Sequence, residues 1–259
     1  MAGRQTADIV FCMDASGSME PTFAGVRDHV FELLESLKSD LQNTWDVRFD
    51  FLAYNTAYNC GGKAGMTFKT VGKSNMEVID GIYRSSCDAN GGSSSGFFTK
   101  DLDQFKAALG TVECEGDETS AVALDMAADF PFRDATTCHR VIILLTDEQL
   151  ETGNAEQETS TKLMDLARKL QDRRIALYMI TPQSEAYDTL SQIDKCEWTV
   201  VDDTSNGLRT VDFGKLMQSI GKSVSVSQTS TSASIDPKPI FNEPSWKAKD
   251  DCVVTDLPS

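Results

Sequence analysis

Histidine is nearly missing from this chain, which holds two in 259 residues, and no two of its seven cysteines have CxxC spacing. A zinc site of nitrogen and sulfur ligands therefore lacks material. The odd cysteine count argues against a disulfide framework and for a reducing compartment. Cys12 and Cys138 fall in or beside apolar runs, where a free thiol acts as a small hydrophobe. Long hydrophobic runs are also missing. No segment approaches the roughly 20 apolar residues of a membrane span, and the opening Met-Ala-Gly-Arg-Gln-Thr lacks the apolar stretch of a secretion signal. We expect a soluble, cytoplasmic chain with no membrane contact. Positive charge is scarce, with 24 Lys and Arg against 40 Asp and Glu, for a net charge of −16. Such a surface repels phosphate backbones, so no nucleic-acid partner is expected. It suits a site that concentrates cations, and it serves solubility equally well.

What is present is a rhythm of strands and helices. Ile9-Val10-Phe11-Cys12-Met13 is an apolar run suited to a strand buried on both faces. Phe23, Val26, Val30, Leu33, Leu34, Leu37 and Leu41 repeat at helical spacing. Val47 to Tyr54 reads as a strand. Between Asn55 and Gly116 the pattern weakens. Met66-Thr67-Phe68 reads as a short edge strand, 75–83 as a helical turn or two, and 87–96 as a loop. Asp101 to Leu109 resumes a helical pattern, with Asp101 or Thr99 as its cap. Then follow a helix over 119–130, a strand at Val141 to Leu145, a helix over 156–172, a strand at Ile175 to Ile180, a short helix over 185–193, a strand at 198–201 and a last helix over 211–224. The alternation predicts an α/β, Rossmann-like, doubly wound and mostly parallel sheet with helices on both faces. One domain spans 1–226. Residues 227–259, rich in Ser and Thr and holding four of the seven prolines, read as an extended or disordered tail.

In such sheets ligands bind beyond the carboxyl ends of the strands. Two strands expected to be central end there in acid: Asp14-Ala15-Ser16-Gly17-Ser18 and Thr146-Asp147-Glu148. Hard divalent cations prefer oxygen ligands. The first turn offers one carboxylate and two hydroxyls, with Gly17 easing the bend, and Asp147 adds a second carboxylate. The plainer alternative is that Asp14, Ser16 and Ser18 only cap the helix that follows.

The run Asp-Ile-Val-Phe-Cys-Met-Asp-Ala-Ser-Gly-Ser-Met resembles the opening of von Willebrand factor A domains, where DxSxS begins the metal-ion-dependent adhesion site. Val-Ile-Ile-Leu-Leu-Thr-Asp is similar to the family's strand bearing its second aspartate, with Glu148 standing where glycine is usual. The resemblance covers roughly residues 6 to 224. It implies metal ligands at Asp14, Ser16, Ser18, Thr119 and Asp147, holding Mg2+ or Mn2+. The threonine comes from matching Gly116-Asp117-Glu118-Thr119 to the family's glycine-and-threonine helix start; a shift of one places Glu118 there instead.

The resemblance further implies an intracellular module that binds a protein partner through a Glu or Asp offered to the ion. Given the chain's own negative charge, that acid should lie within a basic surface. An alternative is a regulatory adaptor of a kinase, phosphatase or AAA ATPase system, with a phosphorylatable tail. A magnesium-dependent hydrolase of phosphatase type is a further alternative, but it needs a carboxylate two residues after Asp14, where Ser16 stands. No GxxxxGK[ST] motif occurs. His29 in a helix and His139 at a strand entry read as structural. We expect no catalytic residue and no enzyme.

Overall fold

The computed structural model describes residues 5–41, 45–60, 63–72, 76–79, 82–83, 97–116, 120–149 and 156–202, with Leu208 and Val211. The strands are β1 (Gln5–Asp14), β2 (Trp45–Cys60), β3 (Lys63–Lys69), β4 (Met76–Ile79), β5 (Ile82–Tyr83), β6 (Cys138–Leu145), β7 (Ile175–Thr181) and β8 (Cys196–Val200). The helices are α1 (Glu20–Leu41), α2 (Leu102–Leu109), α3 (Ser120–Ala128), α4 (Glu156–Asp172) and α5 (Glu185–Ser191). One sheet carries all eight strands in the order β5-β4-β3-β2-β1-β6-β7-β8. The five from β2 to β8 in that order run parallel, and β3, β4 and β5 add antiparallel pairings at one edge.

Side-chain alternation along β1 explains why its whole central run is apolar. Ile9, Phe11 and Met13 face one layer, with Phe23, Val26 and Val30 of α1 and Phe105 of α2. Val10 and Cys12 face the other, with Leu124 of α3, Leu166 of α4 and Leu190 of α5. Helices on both faces leave the strand no wet side, so neither set of positions tolerates polarity. Phe105 meets the edges of Phe11, Phe49 and Phe51 at 5.3 to 5.9 Å between ring centres. The α2 start is capped by Asp101, which accepts from the Asp103 and Gln104 amides. Thr99 assists, accepting from the Asp101 amide and donating to Gln104.

The weakly patterned region departs from expectation. Within the stretch expected as helical turns, Met76–Ile79 and Ile82–Tyr83 form strands β4 and β5. Val78, Ile79, Ile82 and Tyr83 are β-branched or aromatic and fit a pleated surface better than a helix. The strand around Met66-Thr67-Phe68 is longer than expected and is not an edge, because β4 lies outside it. The loop expected at 87–96, the last helix beyond Val211 and the tail at 227–259 lie outside the described residues.

Two buried carboxylates away from the strand ends are tied down by the fold. Asp8, on β1, accepts from Arg48 at 2.9 and 2.7 Å and from the side chain and backbone of Arg133 at 2.8 and 2.7 Å. Burial would raise its pKa, but these bonds hold it below the usual carboxylate value. Asp50, on β2, accepts the amides of Phe51, Val71 and Phe98 at 2.8 to 2.9 Å. It thereby joins β2 to the chain leaving β3 and to the chain entering α2. Burial pushes its carboxyl up to about 6, against the pull of those three amides. No described helix is long and apolar enough to cross a membrane.

Candidate metal centre

β1 and β6 are neighbours in parallel register up to the pair Met13 and Leu145. Asp14 closes the first strand and Thr146-Asp147 follow the second, so both acids arrive at the same rim of the sheet. Asp14 is wholly buried, and Asp147 is 3% exposed.

A chain of polar contacts joins the two. The Ser16 amide donates to Asp14 Oδ1 at 2.8 Å, Ser16 Oγ and Ser18 Oγ lie 3.0 Å apart, and the Ser18 hydroxyl donates to Asp147 Oδ1 at 3.2 Å. On the other side, the Thr146 hydroxyl donates to Asp14 Oδ2 at 2.6 Å and accepts from the Glu148 amide at 3.1 Å. Four of the expected ligands, Asp14, Ser16, Ser18 and Asp147, therefore share one crevice. The fifth, Thr119, and its competitor Glu118 lie outside the described residues. Ser16 makes no side-chain cap bond to the turn Gly17–Met19, and its hydroxyl lies against that of Ser18.

The electrostatics are those of two neighbouring acids. Burial raises the Asp14 carboxyl to about 6, opposed by the bonds from Thr146 and Ser16 and aided by the negative charge of Asp147. Burial also raises Asp147, opposed by Ser18. Among the described residues no lysine, arginine or histidine pairs with either acid. Buried charges are normally paired with a cationic side chain or with a metal. The donors are all hard oxygens, the set that magnesium and manganese prefer. Two carboxylates flanked by hydroxyls fit such an ion. No cluster of three or more His, Cys, Asp or Glu ligands forms among the described residues, so hydroxyl donors are essential to this fit.

The loop ahead of α3 is fastened to the same turn. The Gly17 amide donates to the Gly116 carbonyl at 2.9 Å, and the Glu115 amide to the Ala15 carbonyl at 2.9 Å. Gly116, at φ 72°, occupies the left-handed region that favours glycine. Gly17 does not need to be glycine for the bend: a Cβ there would stand 3.5 Å from the Gly116 oxygen, an ordinary contact.

Sequence reasoning gave Thr146 no role, although it holds Asp14 from the neighbouring strand. It also missed Cys114, half-buried nearby. Burial pushes this thiol up to about 12, with the charges of Asp14, Glu20 and Asp147 adding to the rise. Its position in a Glu-Cys-Glu-Gly stretch carries no pattern that could have marked it. Of the two histidines, His29 lies 3.5 Å from Glu32 within α1, and the His139 ring packs 5.6 Å from Trp45.

No family model matches the chain, and no curated protein matches it in sequence. Solved structures do match the fold. The pilus adhesin SpaC from Lactobacillus rhamnosus GG, in its open conformation, superposes with a TM-score of 0.51 at 14% identity, covering 86% of this chain and 30% of the adhesin. The human COPII-coat protein Sec24c gives 0.51 at 13% identity, covering 85% of this chain and 32% of that protein. A von Willebrand factor type A protein from Catenulispora acidiphila gives 0.49 at 16% identity, covering 82% and 42%. The chain thus spans about a third of the length of the adhesin and the coat protein. It shares with them an α/β fold built on a central parallel sheet.

Proposed function

We propose that this chain is a von Willebrand factor A-type interaction module that binds Mg2+ or Mn2+ through Asp14, Ser16, Ser18, Thr119 and Asp147. The observation that carries the reading is the contact chain from Asp14 through Ser16 and Ser18 to Asp147, with no cationic side chain among the described residues to balance it. Bound there, the ion supplies a Lewis-acidic position at which a Glu or Asp of a protein partner completes the coordination. Asp14 and Asp147 hold charge, Ser16 and Ser18 orient them, and Thr146 keeps Asp14 facing the rim.

A pilus adhesin and a COPII-coat protein share the fold, which supports a module for protein contact over an enzyme. Ser16 also stands where a phosphatase of this layout would need its second acid. With a net charge of −16, the chain favours a partner whose contact acid is set in a basic surface. The free thiols of Cys12, Cys114, Cys138 and Cys196 suit a reducing, cytoplasmic setting.

Calorimetric titration of Mg2+ or Mn2+ into wild type and Asp14→Ala tests the reading: saturable binding in the first and its loss in the second is the expected result. Equal heats in both reject it. Thr119→Ala should weaken binding and Glu118→Ala should not; the reverse moves the ligand to Glu118.

A further inference from the structure

β2 ends its parallel pairing with Tyr54, directly across from Asp14. The pairing carries on for one step past the strand, since the Ala15 amide donates to the Tyr54 carbonyl at 2.8 Å. Tyr54 is completely buried, and its phenol lies 2.7 Å from the hydroxyl of Ser120, which is also completely buried and opens α3. The other buried aromatic residues among those described on β2, Trp45, Phe49 and Phe51, carry no hydroxyl. A buried hydroxyl has to be hydrogen-bonded, and the Ser120 hydroxyl meets that need here.

The bond sits at one of two anchors. Upstream, Gly116 and Glu115 are tied by backbone bonds to Gly17 and Ala15, inside the turn that carries Ser16. Downstream, Ser120 is tied to Tyr54, the cross-strand neighbour of Asp14. Only residues 117–119 separate these anchors in the sequence.

We propose that Tyr54 is a positioning residue for the metal centre: its bond to Ser120 fixes the start of α3 relative to Asp14, and the cation affinity of the site depends on it. The proposal rests on the metal-binding reading above. Tyr54 touches no ion in this role; it acts through Ser120.

The experiment is a calorimetric titration of Mn2+ into the full chain and four variants at one pH. Tyr54→Phe and Ser120→Ala should each lower the affinity roughly three- to tenfold, the scale of one hydrogen bond. The double variant should bind no more weakly than the weaker single one, because both remove the same contact. Ser120→Thr, which keeps a hydroxyl, should stay near wild type. A purely structural bond would lower the melting temperature of the metal-free protein and leave the Mn2+ affinity alone. That result, or additive losses in the double variant, overturns the proposal. If wild type itself takes up no Mn2+, the metal-binding reading falls and this proposal with it; if wild type and Tyr54→Phe bind equally, only the positioning role falls.

Discussion

One strand carries two buried carboxylates with opposite fates. Asp8 is embraced by Arg48 and Arg133 and sits below the usual carboxylate pKa. Asp14, farther along β1, is just as buried, has hydroxyl and amide donors only among the described residues, and is raised to about 6 with Asp147 as a like-charged neighbour. Burial penalises both charges equally in kind. What differs is that the fold supplies cationic side chains at Asp8 and, among the described residues, none at Asp14. An acid balanced internally is a structural tie; an acid left unbalanced at a strand end is a place for a ligand.

The largest effect should come from exchanging the fates of these two acids. Asp8→Ala removes the buried partner of Arg48 and Arg133, of which Arg133 keeps Asp46, and should cost about 2 kcal/mol or more in urea unfolding, the scale of lost hydrogen bonds to a charged group. It should leave Mn2+ affinity unchanged. Asp14→Ala should do the reverse, lowering Mn2+ affinity by about a hundredfold or more, the upper range for a lost ligand or its support, with a smaller loss of stability than Asp8→Ala. If both variants lose stability alike and metal binding alike, the distinction between the two acids is wrong.

Asp50 sharpens the comparison from a third direction, since among the described residues it has amide donors and no counter-charge. Its folded pKa of about 6 exceeds the ordinary 3.8, so the folded state holds this proton more tightly than the unfolded chain does. Its contribution to stability is complete below about pH 3.8 and is lost as pH rises through 6. Between pH 4.5 and 7 wild type should lose about 2 kcal/mol more than Asp50→Asn, whose amide does not titrate. Urea unfolding at the two pH values checks this; parallel losses would show that the three amides hold the carboxylate ionised throughout. Smaller still is the expected effect of Thr146→Val, which removes the hydroxyl holding Asp14 Oδ2. Mn2+ affinity should fall about tenfold, the lower end for a group supporting a ligand. Titration calorimetry reads it directly.

The frame of this molecule was legible in its sequence, and the reason is periodicity. The apolar runs of β1 and β6 sit between helices on both faces, so burial writes itself into consecutive residues. The acids at their ends stood out for the same reason: an aspartate that stops an apolar run is visible without any knowledge of its neighbours. Contacts between distant segments left no such trace. Nothing local links Arg133 to Asp8, Thr146 to Asp14 or Ser120 to Tyr54. The short strands β4 and β5 were misread because a few residues cannot distinguish a helical turn from a strand that gains its bonds from a neighbour. Gly17 was credited with a bend that needs no glycine, whereas Gly116, at φ 72°, is the one in a conformation glycine prefers.

The most direct test of the account is a crystal structure of the full chain grown with Mn2+, with the ion located by its anomalous scattering. The account predicts one peak at the rim beyond β1 and β6, within about 2.2 Å of an Asp14 oxygen or of a water it holds, with Asp147 and the two serine hydroxyls around it. A well-ordered crevice with no peak at millimolar Mn2+, or a peak bound elsewhere on the acidic surface, would contradict it.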